Sequence, residues 1–385
     1  MNAKPINYGR HLIDAEDLAA VREALESDFL TQGPRVKAFE AALCALTGAG
    51  YAVAVSNGTA ALHLAALAAG LAPGDEGITS PITFAASANC LIYAGARPVF
   101  ADIAPDTYTL APGRFEEKIT ARTKAVVPVD FAGQPADMEA ISAIAAKKGI
   151  TVIEDAAHAI GSRYACGAAV GSCKYSDMTI FSFHPVKTIT TGEGGAVTTN
   201  SRALYDRLCL LRTHGITKDP AAMAENQGPW YYEMQELGFN YRLTDLQAAL
   251  GVSQLKKLDA FVARRREITA KYNKAFSGLK HAVTPYERPG VFSAFHLYVL
   301  LLDFARLGRS REQVFAELSR AGINPQVHYI PVHLQPYYRK NFGFKPGDYP
   351  AAEDYYSRCL SLPLYPGMDD SDAGRVIDAV RAVAG

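Results

Sequence analysis

The stretch MTIFSFHPVKTITTGEGGAVTTN, residues 178–200, decides how the chain is read. An apolar run from Met178 to Phe183 gives way to a polar segment that holds Lys187, and a glycine turn leads into a second apolar run from Gly195. Only Lys187 and Glu193 carry formal charge in the whole stretch. Both runs are too short for a helix and rich in β-branched and aromatic side chains, so each predicts a strand. The segment HPVKTITTGEG between them is too short for a helical crossover, which predicts an antiparallel pair. A lysine between two buried strands is out of place by ordinary solvation, because its ammonium group loses hydration there.

Upstream lie further short apolar runs: YAVAV (51–55), GITS (77–80), RPVFAD (97–102), KAVVPVD (124–130) and ITVIED (150–155). Helical patterns separate most of them, such as TAALHLAALAAG (59–70) and DMEAISAIAAKKG (137–149). Strands alternating with helices predict an α/β fold with a mainly parallel, wound sheet and right-handed crossovers. Ligands of such sheets gather at the carboxyl ends of the strands. Downstream the pattern changes. TDLQAALGVSQLKKLDAFVARRREITAKYNKAF (244–276) predicts one long helix, or a broken one, leaving the first domain, and ARRRE (263–267) within it is expected to be a solvated helix face. A strand in FHLYVLLLD (295–303), a helix in SREQVFAELSRAG (310–322), a loop in HYIPVHLQPYY (328–338) and a last helix near SDAGRVIDAVRAV (371–383) complete a smaller α+β domain. The expected boundaries are 1–255 for the large domain, with an N-terminal substrate segment, and 256–385 for the small one.

Three strand ends carry chemistry. After YAVAV the chain turns through Ser-Asn-Gly-Thr into a helix, and the free N–H groups of such a turn bind anions. Gly58 lets backbone approach closely and Thr59 adds a hydroxyl; read alone, the turn is equally an ordinary helix cap. ITVIED ends in Asp155, which at a strand end either caps a helix or accepts a hydrogen bond from a protonated ring nitrogen. His158 follows it, as a structural hydrogen-bonder or a catalyst. At the third end, Ser182 is placed to bind phosphate, and Lys187, in a water-poor site, can lose its proton and form a Schiff base with an aldehyde. In SPITFAASAN (80–89), Phe84 follows another strand and offers an aromatic face. Pyridoxal phosphate needs a phosphate cradle, a carboxylate at its pyridine nitrogen, a lysine at its aldehyde and an aromatic on its ring. The burial of Lys187 then makes sense, because its amine is wanted neutral.

Composition removes other classes. The 39 basic and 39 acidic residues balance to zero net charge, so neither nucleic acid nor anionic membrane is an expected partner. The start, MNAKPINYGRHLIDAEDL, has no apolar leader core, and a cytoplasmic location is expected. The six cysteines show no CxxC pair and no metal-ligand spacing with histidine, so reduced thiols and no metal are expected. GxGxxG and GxxxxGK[ST] are absent, which leaves dinucleotide and P-loop readings without their fingerprints.

The motifs FLTQGP (29–34), SNGTAAL (56–62), EDAAHAIGS (154–162), FSFHPVKTITTGEGG (181–195), GFNYRLTDLQAALG (238–251) and QVHYIPVH (326–333) span nearly the whole chain. Through them it resembles the DegT/DnrJ/EryC1/StrS family of sugar aminotransferases, fold-type-I pyridoxal-phosphate enzymes. LRTHGI (211–216) and GPWYYE (228–233) add similarity to the branch acting in pseudaminic acid biosynthesis. The resemblance implies transfer of an amino group from L-glutamate to the C4 keto group of a UDP-linked 4-keto-6-deoxy-N-acetylhexosamine, by way of pyridoxamine phosphate. It implies Lys187, Asp155 and His158 as catalytic residues, with Gly58, Thr59, Phe84, Ser182 and Asn240 joining Lys187 and Asp155 in binding the cofactor. It also implies that Tyr8, Asp28, Phe29, Leu30, Thr31, Gln326, Val327, His328 and Tyr329 line the sugar nucleotide, together with Gly58, Ser182 and Asn240. Asn240 is the residue expected to reach into the neighbouring subunit of a homodimer with shared active sites. A dehydratase of the same fold would have histidine in place of Lys187. A non-catalytic regulator would not need lysine, aspartate and phosphate loop together.

Overall fold

Seven strands form the central sheet of a computed structural model that describes residues 4–385. Residues 1–3 of the expected first domain lie outside the described residues. A short N-terminal strand β1 (Ile6–Asn7) is followed by β2 (Tyr51–Val55), β3 (Glu76–Thr79), β4 (Arg97–Phe100), β5 (Thr123–Val127), β6 (Thr151–Asp155), β7 (Met178–Ser182) and β8 (Gly195–Thr199). Strands β2 to β8 lie in the order β2-β8-β7-β6-β5-β3-β4. All seven coincide with the apolar runs of the sequence. Strands β3 to β7 run parallel, and β8 is antiparallel to both neighbours.

Helices cover both faces, which is why the strands read as continuous apolar runs instead of alternating ones. The helices of this half are α1 (Ala15–Leu25), α2 (Pro34–Thr47), α3 (Gly58–Ala68), α4 (Ala86–Tyr93), α5 (Pro112–Glu117), α6 (Met138–Lys148) and α7 (Arg202–Arg212). One face packs Phe39, Leu43 and Ile141 against Val152 and Phe181. The other packs Leu62, Leu64, Leu91 and Leu208 against Ile180 and Val197. Helix α3 is apolar on almost every side because it is buried on almost every side. Asn57 caps it by accepting the Ala60 N–H at 2.8 Å.

The long helical pattern is broken into α8 (Asp245–Leu255) and α9 (Leu258–Phe276). At the break Lys257 turns back to pair with Asp14 and with buried Asp17, at 2.8 Å for the latter. The expected solvated face at 263–267 is corrected in part. Arg265 is fully buried, and its Nη1 donates to the carbonyls of His296 (3.1 Å) and Leu364 (2.7 Å). Its neighbours Arg264 and Arg266 lie in half-buried ion pairs with Glu267 and Glu287. A run of arginines looks uniformly wet in sequence, but one turn of α9 faces two segments whose carbonyls need donors. The last half contains an antiparallel sheet of Ala282–Val283, Tyr298–Leu302 and Cys359–Leu362, covered by helices Arg311–Arg320 and Asp370–Ala384. In the expected loop 328–338, Pro336 instead starts a helix, Pro336–Phe342. Strand β1 pairs with Ile323–Asn324, so the N-terminus is tied to this half. All six cysteines are free thiols.

Candidate active site

The carboxyl ends of β2, β6 and β7 open into one cavity of about 680 Å³. Gly58 and Thr59 enter it from the turn into α3, Asp155 from the end of β6, and Ser182 from the end of β7. Lys187 stands in the loop after β7, held by its own N–H on the His184 carbonyl (2.8 Å). The loop is closed beneath it by Phe183 N–H on Gly194 (2.8 Å) and Thr191 N–H on Phe183 (3.0 Å). The β7–β8 reversal thus presents the amine at the sheet edge. His158, Phe84, Tyr8, His328 and Tyr329 line the same cavity, with Phe84 61 % exposed at its mouth.

Electrostatics follow from burial. The Lys187 amine falls to about 8 through loss of hydration, opposed by the charge of Asp155. Burial pushes the Asp155 carboxyl up, and hydrogen bonds from Ser87 Oγ (2.5 Å) and Ala157 N–H (3.1 Å), together with Lys187, oppose it. These contacts exclude the helix-cap reading of Asp155: no helix starts there, and one oxygen is held by α4. Burial also drives His158 well below its usual range, helped by the positive field of Lys187 and by His328, so the ring is neutral. His328 falls to about 3 for the same first reason, with Lys187 as the second, and its Nδ1 meets Ser361 Oγ at 2.8 Å.

Some expected residues stand elsewhere on this chain. Asn240 is exposed, bridges backbone to Thr213 and does not line the cavity. Neither do Asp28, Phe29, Leu30 and Thr31, which are exposed beside the start of α2, nor Gln326 and Val327. Sequence reasoning missed Ser87, whose hydroxyl also meets Thr83 at 2.6 Å, and His296, whose ring stands 4.4 Å from that of His158. Ser87 lies in the quoted SPITFAASAN, but only the packing of α4 on β6 shows what its hydroxyl meets. Glu193 and Tyr241 line the cavity as well.

The residues fit pyridoxal phosphate. The N-terminus of α3 faces the cavity, and the hydroxyls of Thr59 and Ser182 and the amine of Lys187 have no protein hydrogen-bond partner among the described residues. Backbone closeness is built in as well: a Cβ at Gly58 would lie 2.9 Å from Ser182 Cβ. Donors convergent on a helix N-terminus suit a phosphate, and a buried carboxylate across the cavity suits a ring cation.

Comparison with known proteins points to the same cofactor. The profile of the DegT/DnrJ/EryC1/StrS aminotransferase family matches residues 11–381. The spore coat polysaccharide biosynthesis protein SpsC of Bacillus subtilis is 46% identical over 377 residues, covering 98% of this chain and 96% of its own. PseC of Helicobacter pylori, an aminotransferase involved in the biosynthesis of pseudoaminic acid, superposes with a TM-score of 0.91 at 33% identity, covering 99% of each chain. Spr1654 of Streptococcus pneumoniae, 31% identical, superposes at 0.91 in its PMP form and covers 98% of this chain and 99% of its own. Its PLP form superposes at 0.90.

Proposed function

The chain belongs to the DegT/DnrJ/EryC1/StrS aminotransferase family, and from that premise we propose that it moves an amino group from L-glutamate to C4 of a UDP-linked 4-keto-6-deoxy-N-acetylhexosamine. It is a pyridoxal-phosphate-dependent sugar aminotransferase. The observation that carries the finer reading is the convergence of Lys187, Asp155 and the turn at Gly58 and Thr59 on one cavity, joined to the likeness to PseC.

When bound, pyridoxal phosphate supplies an electrophilic carbon and a ring that takes up electron pairs. Gly58, Thr59 and Ser182 would hold its phosphate, and Phe84 would offer an aromatic face to the ring. Asp155 would accept from the ring nitrogen and hold the proton there. Lys187 Nζ, neutral once its proton is lost near pH 8, takes a proton from the α-carbon of the amino donor and later carries one to C4 of the sugar. Tyr8 and His328 orient the sugar, and Tyr329 faces the bound substrate. Asn240, the 28–31 segment, Gln326 and Val327 stand outside this cavity in a single chain, and we assign Asn240 to the cofactor phosphate of a partner in a homodimer. Among the described residues no helix is long and apolar enough to cross a membrane; a cytoplasmic location remains part of the proposal.

A second reading keeps the chemistry and changes the sugar to another nucleotide-linked 4-keto-6-deoxy hexose. It is favoured by the 46% identity to SpsC, a spore coat polysaccharide protein. Offering both 5-epimers of UDP-4-keto-6-deoxy-N-acetylhexosamine and comparing kcat/KM tests the first reading. Turnover of neither epimer, with turnover of a non-acetamido keto sugar, establishes the second. A non-catalytic regulator would not lose the yellow colour of its bound cofactor on addition of glutamate.

A further inference from the structure

His158 is held on both sides of its ring. The Ala132 N–H donates to Nδ1 at 3.3 Å, and Nε2 meets the Tyr329 hydroxyl at 3.2 Å. A backbone amide can only donate, so Nδ1 must present its lone pair. A neutral ring has one proton, which then resides on Nε2, and Nε2 donates to the Tyr329 oxygen. Ala132 reaches this position in the left-handed region (φ 59°, ψ 8°), where a residue with a Cβ is strained. The turn is held there by its neighbours. Phe131 is buried and packs edge-on against Tyr329 and Tyr355, and Gly133 lies so close to the chain at His296 that a Cβ would stand 2.8 Å from its nitrogen.

Tyr329 has accepted one hydrogen bond and keeps its own proton. Burial raises its phenol, with Tyr8 and Asp155 adding to the effect. Its hydroxyl meets no other protein group among the described residues, and the residue lines the cavity. We propose that the strained Ala132 amide fixes His158 as its Nε2–H tautomer, and that Tyr329 therefore turns its proton into the cavity as donor to an oxygen of the substrate. His158 is then a positioning residue, and Tyr329 the group that touches substrate. The identity of that substrate rests on the sugar aminotransferase reading; the tautomer does not. Two sources offer the oxygen: the carboxylate of the amino donor, or the keto sugar.

The tautomer is read by nitrogen NMR of the full-length protein labelled with 15N-histidine, the His158 signals being those lost in His158→Gln. Two nitrogen shifts of a neutral ring protonated at Nε2 are expected; a proton on Nδ1, or on both nitrogens near neutral pH, overturns the proposal. The donor role is read by measuring the glutamate and keto-sugar half-reactions separately. Tyr329→Phe should slow at least one by about tenfold or more, as expected for loss of an aimed donor in a water-poor site, and the arm affected identifies whose oxygen is taken. Rates like those of wild type in both arms overturn it. His158→Leu should lose rate in that same arm. His158→Gln should recover most of the loss, because an amide oxygen can accept from Ala132 while its NH2 donates to Tyr329. No recovery by glutamine refutes the relay. Failure of the functional reading would show earlier, as a wild-type protein inactive with every keto sugar.

Discussion

Replacing Lys187 by alanine removes both the amine that holds the cofactor and the base that moves the proton. Turnover should be abolished, while pyridoxamine phosphate should still bind, since Asp155 and the phosphate cradle are untouched; steady-state assay and titration of cofactor fluorescence check the two halves. The amine also sets a pH dependence. Its neutral form is the nucleophile, and burial brings its titration to about 8. Covalent capture of pyridoxal phosphate by the cofactor-free protein should therefore accelerate as pH rises through about 8 and level off above it, not near the usual lysine value. Asp155→Ala and Asp155→Asn should each lower kcat by about 10²-fold or more, as for loss of a preorganised charge. Lys187 and Asp155 were legible in the sequence because a charge amid apolar strand residues is costly and wants a reason. Ser87 was not. Its hydroxyl matters only because α4 begins where β6 ends, a meeting of residues far apart in the chain.

At the scale of elements, β8 runs against its neighbours, and its first residue presses on the turn that opens α3. A Cβ on Gly195 would lie 2.4 Å from the Asn57 carbonyl oxygen and 2.8 Å from the Gly58 nitrogen. Both are backbone atoms, so neither can swing aside. Gly195→Ala should destabilise the fold by about 1–3 kcal/mol, the scale of overpacking, seen as a lower thermal midpoint. Affinity for pyridoxal phosphate should fall more than affinity for pyridoxal if the displaced amides hold the phosphate, as proposed; equal losses would place the damage elsewhere. Strands and their directions were readable because each is buried on both faces and punctuated by glycine or proline. The break at Lys257 is not legible in the sequence, because nothing local ends a helix in SQLKKLDAF. It is Asp14 and Asp17, from the far N-terminus, that hold Lys257 there.

For the whole molecule, the exposed position of Asn240 on a single chain leads to a mixing test. Lys187→Ala and Asn240→Asp should each be nearly inactive as homodimers. Refolded together in equal amounts, about half the dimers should be mixed, and roughly a quarter of all sites should carry neither lesion, by random pairing into closed two-fold dimers. Activity should rise to that fraction of a refolded wild-type control; no rise would refute a site shared between subunits. A shared site is an expectation of the resemblance alone, since nothing in the residue Asn240 itself says that its side chain is exposed.

The reversed strand also sets how late in synthesis one side of the sheet can close. Strand β2 lies at the sheet's edge, and its neighbour there is β8, which leaves the ribosome some 140 residues later. Until Thr199 has emerged, Tyr51–Val55 has an open ladder on that side, and such an edge recruits other strands. Lys187 is synthesised before the strand that braces the turn at Gly58. The cofactor therefore has no finished cradle on the growing chain until β8 has emerged, and until then Lys187, not yet buried, stays an ordinary protonated lysine.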